Sequence, residues 1–290
     1  GTIMKEDKTL HGAQQHTDND RTDMECTNPA TQRIPLHANG KDATMHLAEY
    51  TMPQAEPAQQ QPETPNYEEP NNGTIFVLGG KIYKEIRTLS KSSGEAQVML
   101  VEREGKKAVL KLYYPGYTPE EGVLQVVWNM NFEMIVRLFD YGKTIVEGIS
   151  REYELMEWLE GCSLADYNLK EDLETFRKIA LTTAASVEYC HNCNLIHKDV
   201  KLGNFIFRDT NKQELVLTDF GISTLITDEE QFHKTTQART PLYAAPEMYD
   251  NVIDGEVELT PAADYYSLGI VLFFLWLGRN PFSGNERAMM

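Results

Sequence analysis

A chain of 290 residues with 41% hydrophobic content can hold one large or two modest domains and is apolar enough to build their cores. Its formal net charge of -17 leaves no basic surplus to displace counterions from phosphates, which excludes a general nucleic-acid binder and docking on anionic membranes. The longest apolar run, 268–277, is about half of what a bilayer requires, so no membrane span is expected and the run reads as a buried helix.

Residues 1–75 are polar, and Pro53 to Pro70 is rich in proline, glutamine and glutamate. Such a segment buries too little apolar surface to offset its chain entropy, so a disordered acidic and polar tail is expected there. Charges at Lys5, Glu6, Asp7 and Lys8 argue against a secretory signal, and a cytoplasmic location follows as the expectation.

Order is expected from about Thr74–Leu78. Short β-branched runs follow at Tyr83–Leu89, Val98–Glu102, Lys107–Leu112, Ile135–Tyr141 and Glu152–Glu157, which reads as a small sheet. Glu104-Gly105-Lys106 makes a hairpin turn between the second and third runs. Between the third and fourth, Pro119 and the acidic pair Glu120 and Glu121 suit the first turn of a helix over about 119–128. In the third run, alternation points Lys111 to the same face as Val109 and away from Leu110.

After Gly161 the pattern turns helical. Phe176, Ile179, Ala180, Thr183, Ala184 and Val187 form a stripe along 173–193. That helix ends in Cys190-His191-Asn192-Cys193, which reads as packing rather than a metal or redox site, since no second cysteine pair stands at finger spacing.

The chemistry lies beyond it, in His197-Lys198-Asp199-Val200-Lys201-Leu202-Gly203-Asn204 and Asp219-Phe220-Gly221. Asp199 can accept the proton of a hydroxyl nucleophile, and Lys201 can neutralise a transferring phosphate. Asn204 and Asp219 offer hard oxygens to Mg²⁺. At these residues the chain resembles the eukaryotic-type serine/threonine protein kinases.

The resemblance covers about residues 80–285. It implies an α+β, two-lobed protein-kinase-like fold: a small antiparallel β-sheet lobe with one helix over 76–157, then a larger, mainly helical lobe over 158–290. Further helices in the family lie past the end of this chain, so the second lobe is expected to be incomplete, with Glu247 lacking its late arginine partner.

For the site, the resemblance implies ATP and Mg²⁺ as cofactors, with Mn²⁺ as an alternative. Asp199, Lys201 and Asn204 would be catalytic, and Asn204 and Asp219 the metal ligands. Around the nucleotide it implies Ser90, Gly94, Val98, Ala108, Lys111, Met156, Glu157, Leu159, Ile206 and Asp219, with Glu157 and Leu159 serving as the hinge. Lys111 would hold the phosphates and pair with a helix glutamate, Glu120 in preference to Glu121. His197 would brace Phe220, Thr240 would bridge Asp199 and Lys201, and Asp264 would hold the catalytic-loop backbone.

Partners would be protein substrates with Ser or Thr acceptors, including the chain itself through Thr235 and Thr236, with a homodimer as the route to phosphorylation in trans. Two departures stand out: Lys198 replaces the usual arginine, and Leu89 to Val98 carries a single glycine where the phosphate-covering loop has three. They support an alternative, a pseudokinase or scaffold that binds nucleotide or protein without turnover. A kinase of small molecules is disfavoured by Ala245-Pro246-Glu247, which in the family ends the segment that docks peptides.

Overall fold

The computed structural model describes residues 73–90, 94–169, 172–226, 233–236 (backbone only), 238–249, 253 and 256–282. Residues 1–72 of the N-terminal tail and Lys91, Ser92 and Ser93 of the glycine-poor loop lie outside these residues.

Three two-residue turns shape the first lobe. Strand β1 (Ile75–Leu78) enters β2 (Lys81–Ser90) through Gly79-Gly80, and β3 (Ala96–Arg103) enters β4 (Lys106–Tyr113) through Glu104-Gly105. After helix α1 (Glu121–Asn129), β5 (Leu138–Val146) enters β6 (Ile149–Glu157) through Glu147-Gly148. Both central φ angles are positive in each turn, 52° and 74° at Glu104-Gly105, which is the type I′ geometry whose twist matches that of the flanking strands. The strands form one antiparallel sheet in the order β1-β2-β3-β4-β6-β5. It curls so that β1 meets β5, where the Thr144 hydroxyl donates to the Val77 carbonyl at 2.8 Å. Phe76, Leu78, Val101, Leu110 and Leu155 fill the concave side.

Two boundaries differ from expectation. The fourth run was expected at Ile135–Tyr141, but the strand begins only at Leu138. Ile135 and Val136 are engaged elsewhere: Ile135 bridges Leu217 in parallel, and the Val136 amide donates to the Leu217 carbonyl at 2.9 Å. The first helix starts at Glu121, because Glu120 keeps extended backbone (φ -75°, ψ 109°) and acts as the N-cap.

In the second lobe, α2 (Leu173–Asn192) opens on Asp172, whose carboxylate accepts from the amides of Glu174 and Thr175 at 3.0 and 3.2 Å. Short pairs follow: β7 (Leu195–Ile196) with β10 (Thr224–Leu225), β8 (Phe205–Phe207) with β9 (Leu215–Leu217), and β11 (His233–Thr236) with β12 (Glu256–Leu259). Helix α3 (Ala262–Leu277) ends on Gly278, left-handed at φ 67°. One apolar core runs from Val123 and Leu124 of α1 through Leu138, Phe205 and Leu217 to Val187 of α2 and Val271 of α3. The architecture is thus α+β and two-lobed. Cys190 is buried within that core, and no cluster of three potential metal ligands from His, Cys, Asp and Glu occurs among the described residues.

Candidate active site

The catalytic loop hangs from α3. Asp264 is fully buried, and its carboxylate accepts from the backbone amides of His197 and Lys198, each at 2.8 Å, and lies 2.9 Å from His191 Nε2. His197 is also fully buried. Its Nδ1 accepts from the Asp199 amide at 3.2 Å, which leaves Nε2–H to donate to the Thr218 carbonyl at 3.0 Å. The ring meets Phe220 edge-on with centroids 4.9 Å apart. Lys198 at φ 68° and Asp219 at φ 65° are left-handed without being glycine, local strain that the surrounding bonds sustain.

Asp199 faces three donors. Thr240 Oγ1 donates to one carboxylate oxygen at 2.6 Å; Lys201 Nζ and Asn204 Nδ2 donate to the other at 2.5 and 2.9 Å. The lysine also reaches Thr240 Oγ1 at 3.4 Å. Asn204 Nδ2 donates in addition to the Asp199 carbonyl at 2.8 Å, which leaves its amide oxygen as the atom offered to a ligand.

Above this loop lies a cleft of about 970 Å³. Lys111 projects into it from β4 with its ammonium 3.5 Å from Asp219. Burial disfavours the charge on Lys111, but Glu154 and Asp219 outweigh that and raise its pKa. Burial likewise disfavours the charged form of Asp219, yet Lys111, with Lys201 behind it, holds its carboxyl below the usual range. Both groups therefore stay ionised at neutral pH. A Cβ on Gly221 would stand 2.5 Å from the Lys111 ammonium, so a side chain there would displace the lysine end from its place beside Asp219.

The cleft collects Ser90, Gly94, Val98, Lys111, Met156, Glu157, Leu159, Asn204, Ile206 and Asp219. Asp199 and Lys201 stand at its outer end through Asn204. Two expected residues are elsewhere. Ala108 packs into the concave core of the sheet, and Val109, one residue along the pleat, lines the cleft in its stead. Glu120 lies at the start of α1 and borders a smaller cavity of about 220 Å³; no ion pair joins it to Lys111.

Sequence reasoning missed three residues of this region. Arg208 grips the hinge carboxylate of Glu157 with two bonds of 3.0 Å, His191 helps to hold Asp264, and Glu154 stands opposite Lys111 in the ladder. Glu154 is one of three carboxylates on that strand, with Glu152 and Glu157, so composition alone did not single it out.

Comparison with known proteins matches residues 116–290 to the protein kinase domain family. The carbon catabolite-derepressing protein kinase of Candida tropicalis is 29% identical over 234 residues, covering 78% of this chain and 35% of the relative. The human SNF-related serine/threonine-protein kinase is 33% identical over 155 residues, 51% of this chain and 18% of the relative. The chain therefore spans only a minor part of either. Among solved structures, the Cydia pomonella granulovirus kinase PK-1 superposes with a TM-score of 0.56 at 24% identity, over 71% of this chain and 74% of that one, a likeness of fold.

Proposed function

The chain belongs to the protein kinase family, and on that premise we propose that it transfers the γ-phosphoryl group of ATP to serine and threonine hydroxyls of proteins, its own included. One observation carries the reading: Asp199 is held at once by Thr240, Lys201 and Asn204 at the mouth of a cleft that also holds Lys111 and Asp219.

An acceptor hydroxyl beside Asp199 would be oriented by the carboxylate and lose its proton to it, while Lys201 supplies positive charge where the phosphoryl group passes. Thr240 ties the segment that ends at Ala245-Pro246-Glu247 to both groups, so a docked peptide and the catalytic carboxylate share one frame. Lys111 anchors phosphates at the inner end, and Val98, Val109, Met156 and Ile206 give the adenine an apolar slot. Asn204 and Asp219 suit Mg²⁺, or Mn²⁺, because each presents a hard oxygen to the cleft. The ion would neutralise phosphate charge when bound.

Purified protein incubated with ATP and Mg²⁺ should place phosphate on itself or on a generic protein, read by mass spectrometry. Asp199→Asn should lose about a hundredfold or more in rate while keeping nucleotide affinity. Undiminished turnover in that variant would overturn the assignment. Nucleotide binding without any turnover in the wild type would replace it with a scaffold.

A further inference from the structure

A buried ammonium requires a carboxylate to hold its charge and direction. Helix α1 does not supply one to Lys111. Its buried face consists of Val123, Leu124, Val127 and Trp128. Glu121 is exposed and reaches Gln125 at 3.5 Å, and Glu120 precedes the first helical turn.

Asp219 stands 3.5 Å from the ammonium, and a second carboxylate comes from the sheet. In the β4–β6 ladder, Lys111 pairs directly with Glu154, so the two side chains leave the same face of neighbouring strands. Glu154 is 7% exposed and lines the cleft together with Lys111. Two residues along β4, Tyr113 donates its hydroxyl to Glu154 Oε1, and the Lys111 ammonium stands 5.2 Å from the centre of the Tyr113 ring.

We propose that Glu154, braced by Tyr113, is the residue that positions Lys111 for ATP, and that α1 contributes only packing to this anchor. The inference rests on the kinase reading above. It places the glutamate of the lysine anchor on the sheet, whatever position α1 takes.

The full chain should be assayed as wild type, Glu154→Gln, Lys111→Met, the double variant and Glu121→Gln, by ATP kinetics and by the melting-temperature shift that ATP and Mg²⁺ produce. Glu154→Gln should lower kcat/KM for ATP by about tenfold or more and shrink the nucleotide-induced shift, with loss in kcat as well as a rise in KM. Combined with Lys111→Met it should add nothing further, because both variants disable one anchor. Glu121→Gln should match the wild type within about twofold. Glu154→Asp, which keeps the charge, and Tyr113→Phe, which keeps the volume, should fall between wild type and Glu154→Gln.

Wild-type kinetics in Glu154→Gln, or losses that add to those of Lys111→Met, would overturn the proposal. So would a loss in Glu120→Gln equal to that in Glu154→Gln, which would return the role to the helix. A Glu154→Gln protein that melts earlier but keeps the full nucleotide shift would reduce Glu154 to a packing residue. No ATP response in the wild type would instead sink the kinase reading itself, and this inference with it.

Discussion

Lys198 carries a cost that its neighbours only partly meet. It follows the strained turn after His197, is 6% exposed, and its amide, not its ammonium, is what Asp264 holds. Burial pushes its pKa down from 10.5 to about 8, with Glu120 and Asp264 opposing the shift. In the unfolded chain the amine still binds its proton up to about pH 10.5. Between these values the unfolded state binds more protons, so burying Lys198 costs most below about pH 8 and that cost is relieved progressively as pH rises from about 8 to 10.5. Lys198→Met should abolish that relief. Denaturant titrations of both proteins at pH 7.5, 9 and 10 would show the wild type gaining on the variant; a pH-independent difference would refute the burial argument.

Residue types were readable here where spacing alone defines the chemistry. The spacing of Asp199, Lys201 and Asn204 needs no knowledge of pairing. Glu154 does need it, because a strand residue's cross-strand partner depends on register.

Among the elements, the segment leaving the hinge is tightly fitted. A Cβ on Gly161 would stand 2.4 Å from the carbonyl oxygens of Phe207 and Asp209, both backbone atoms with no soft way to yield. The Gly161 amide donates to that same Phe207 carbonyl at 3.0 Å, so the chain cannot back away without losing the bond. Gly161→Ala should therefore cost about 1–3 kcal/mol and lower the melting temperature by several degrees.

Gly269 is the contrast. It sits exposed within α3, with nothing within 4 Å of its would-be Cβ, and Gly269→Ala should stabilise the helix by about 0.5–1 kcal/mol. Calorimetry on the two variants should move the midpoint in opposite directions. A shift of the same sign in both would show that close approach is not what Gly161 provides. The β3–β4 hairpin and the long helices were legible at this scale because turn residues and periodicity are local signals. The start of β5 was not, since Ile135 and Val136 look like strand but pair across the lobes with Leu217.

At the scale of the whole molecule, one side chain gathers the lobe junction. Arg208, just beyond β8, donates from Nε and Nη2 to the two carboxylate oxygens of Glu157, each at 3.0 Å, and from Nη1 to Glu214 at 2.9 Å. Its Nη2 also reaches the Phe132 carbonyl at 2.5 Å, on the segment between α1 and β5. Glu157 is the last residue of β6, and its Oε1 accepts from the Arg137 amide at 2.8 Å as well. A single guanidinium thus ties the hinge, the segment entering β5 and the β8–β9 hairpin. Its partners lie 51 to 76 residues away in sequence, apart from Glu214, which is why no local pattern announced it.

A lysine keeps the charge but cannot present a planar fork to both oxygens. Arg208→Lys should destabilise the protein by about 2 kcal/mol, less than removal of a fully buried pair because Arg208 keeps part of its surface in water. The same change should loosen the cleft wall that Glu157 forms, so the KM for ATP should rise while kcat at saturating ATP changes less. Glu157→Gln alone should show the same pair of effects, and combining the two should add little beyond either. Additive losses, or a stability change without any change in KM, would mean that the arginine steadies the second lobe alone and leaves the hinge untouched.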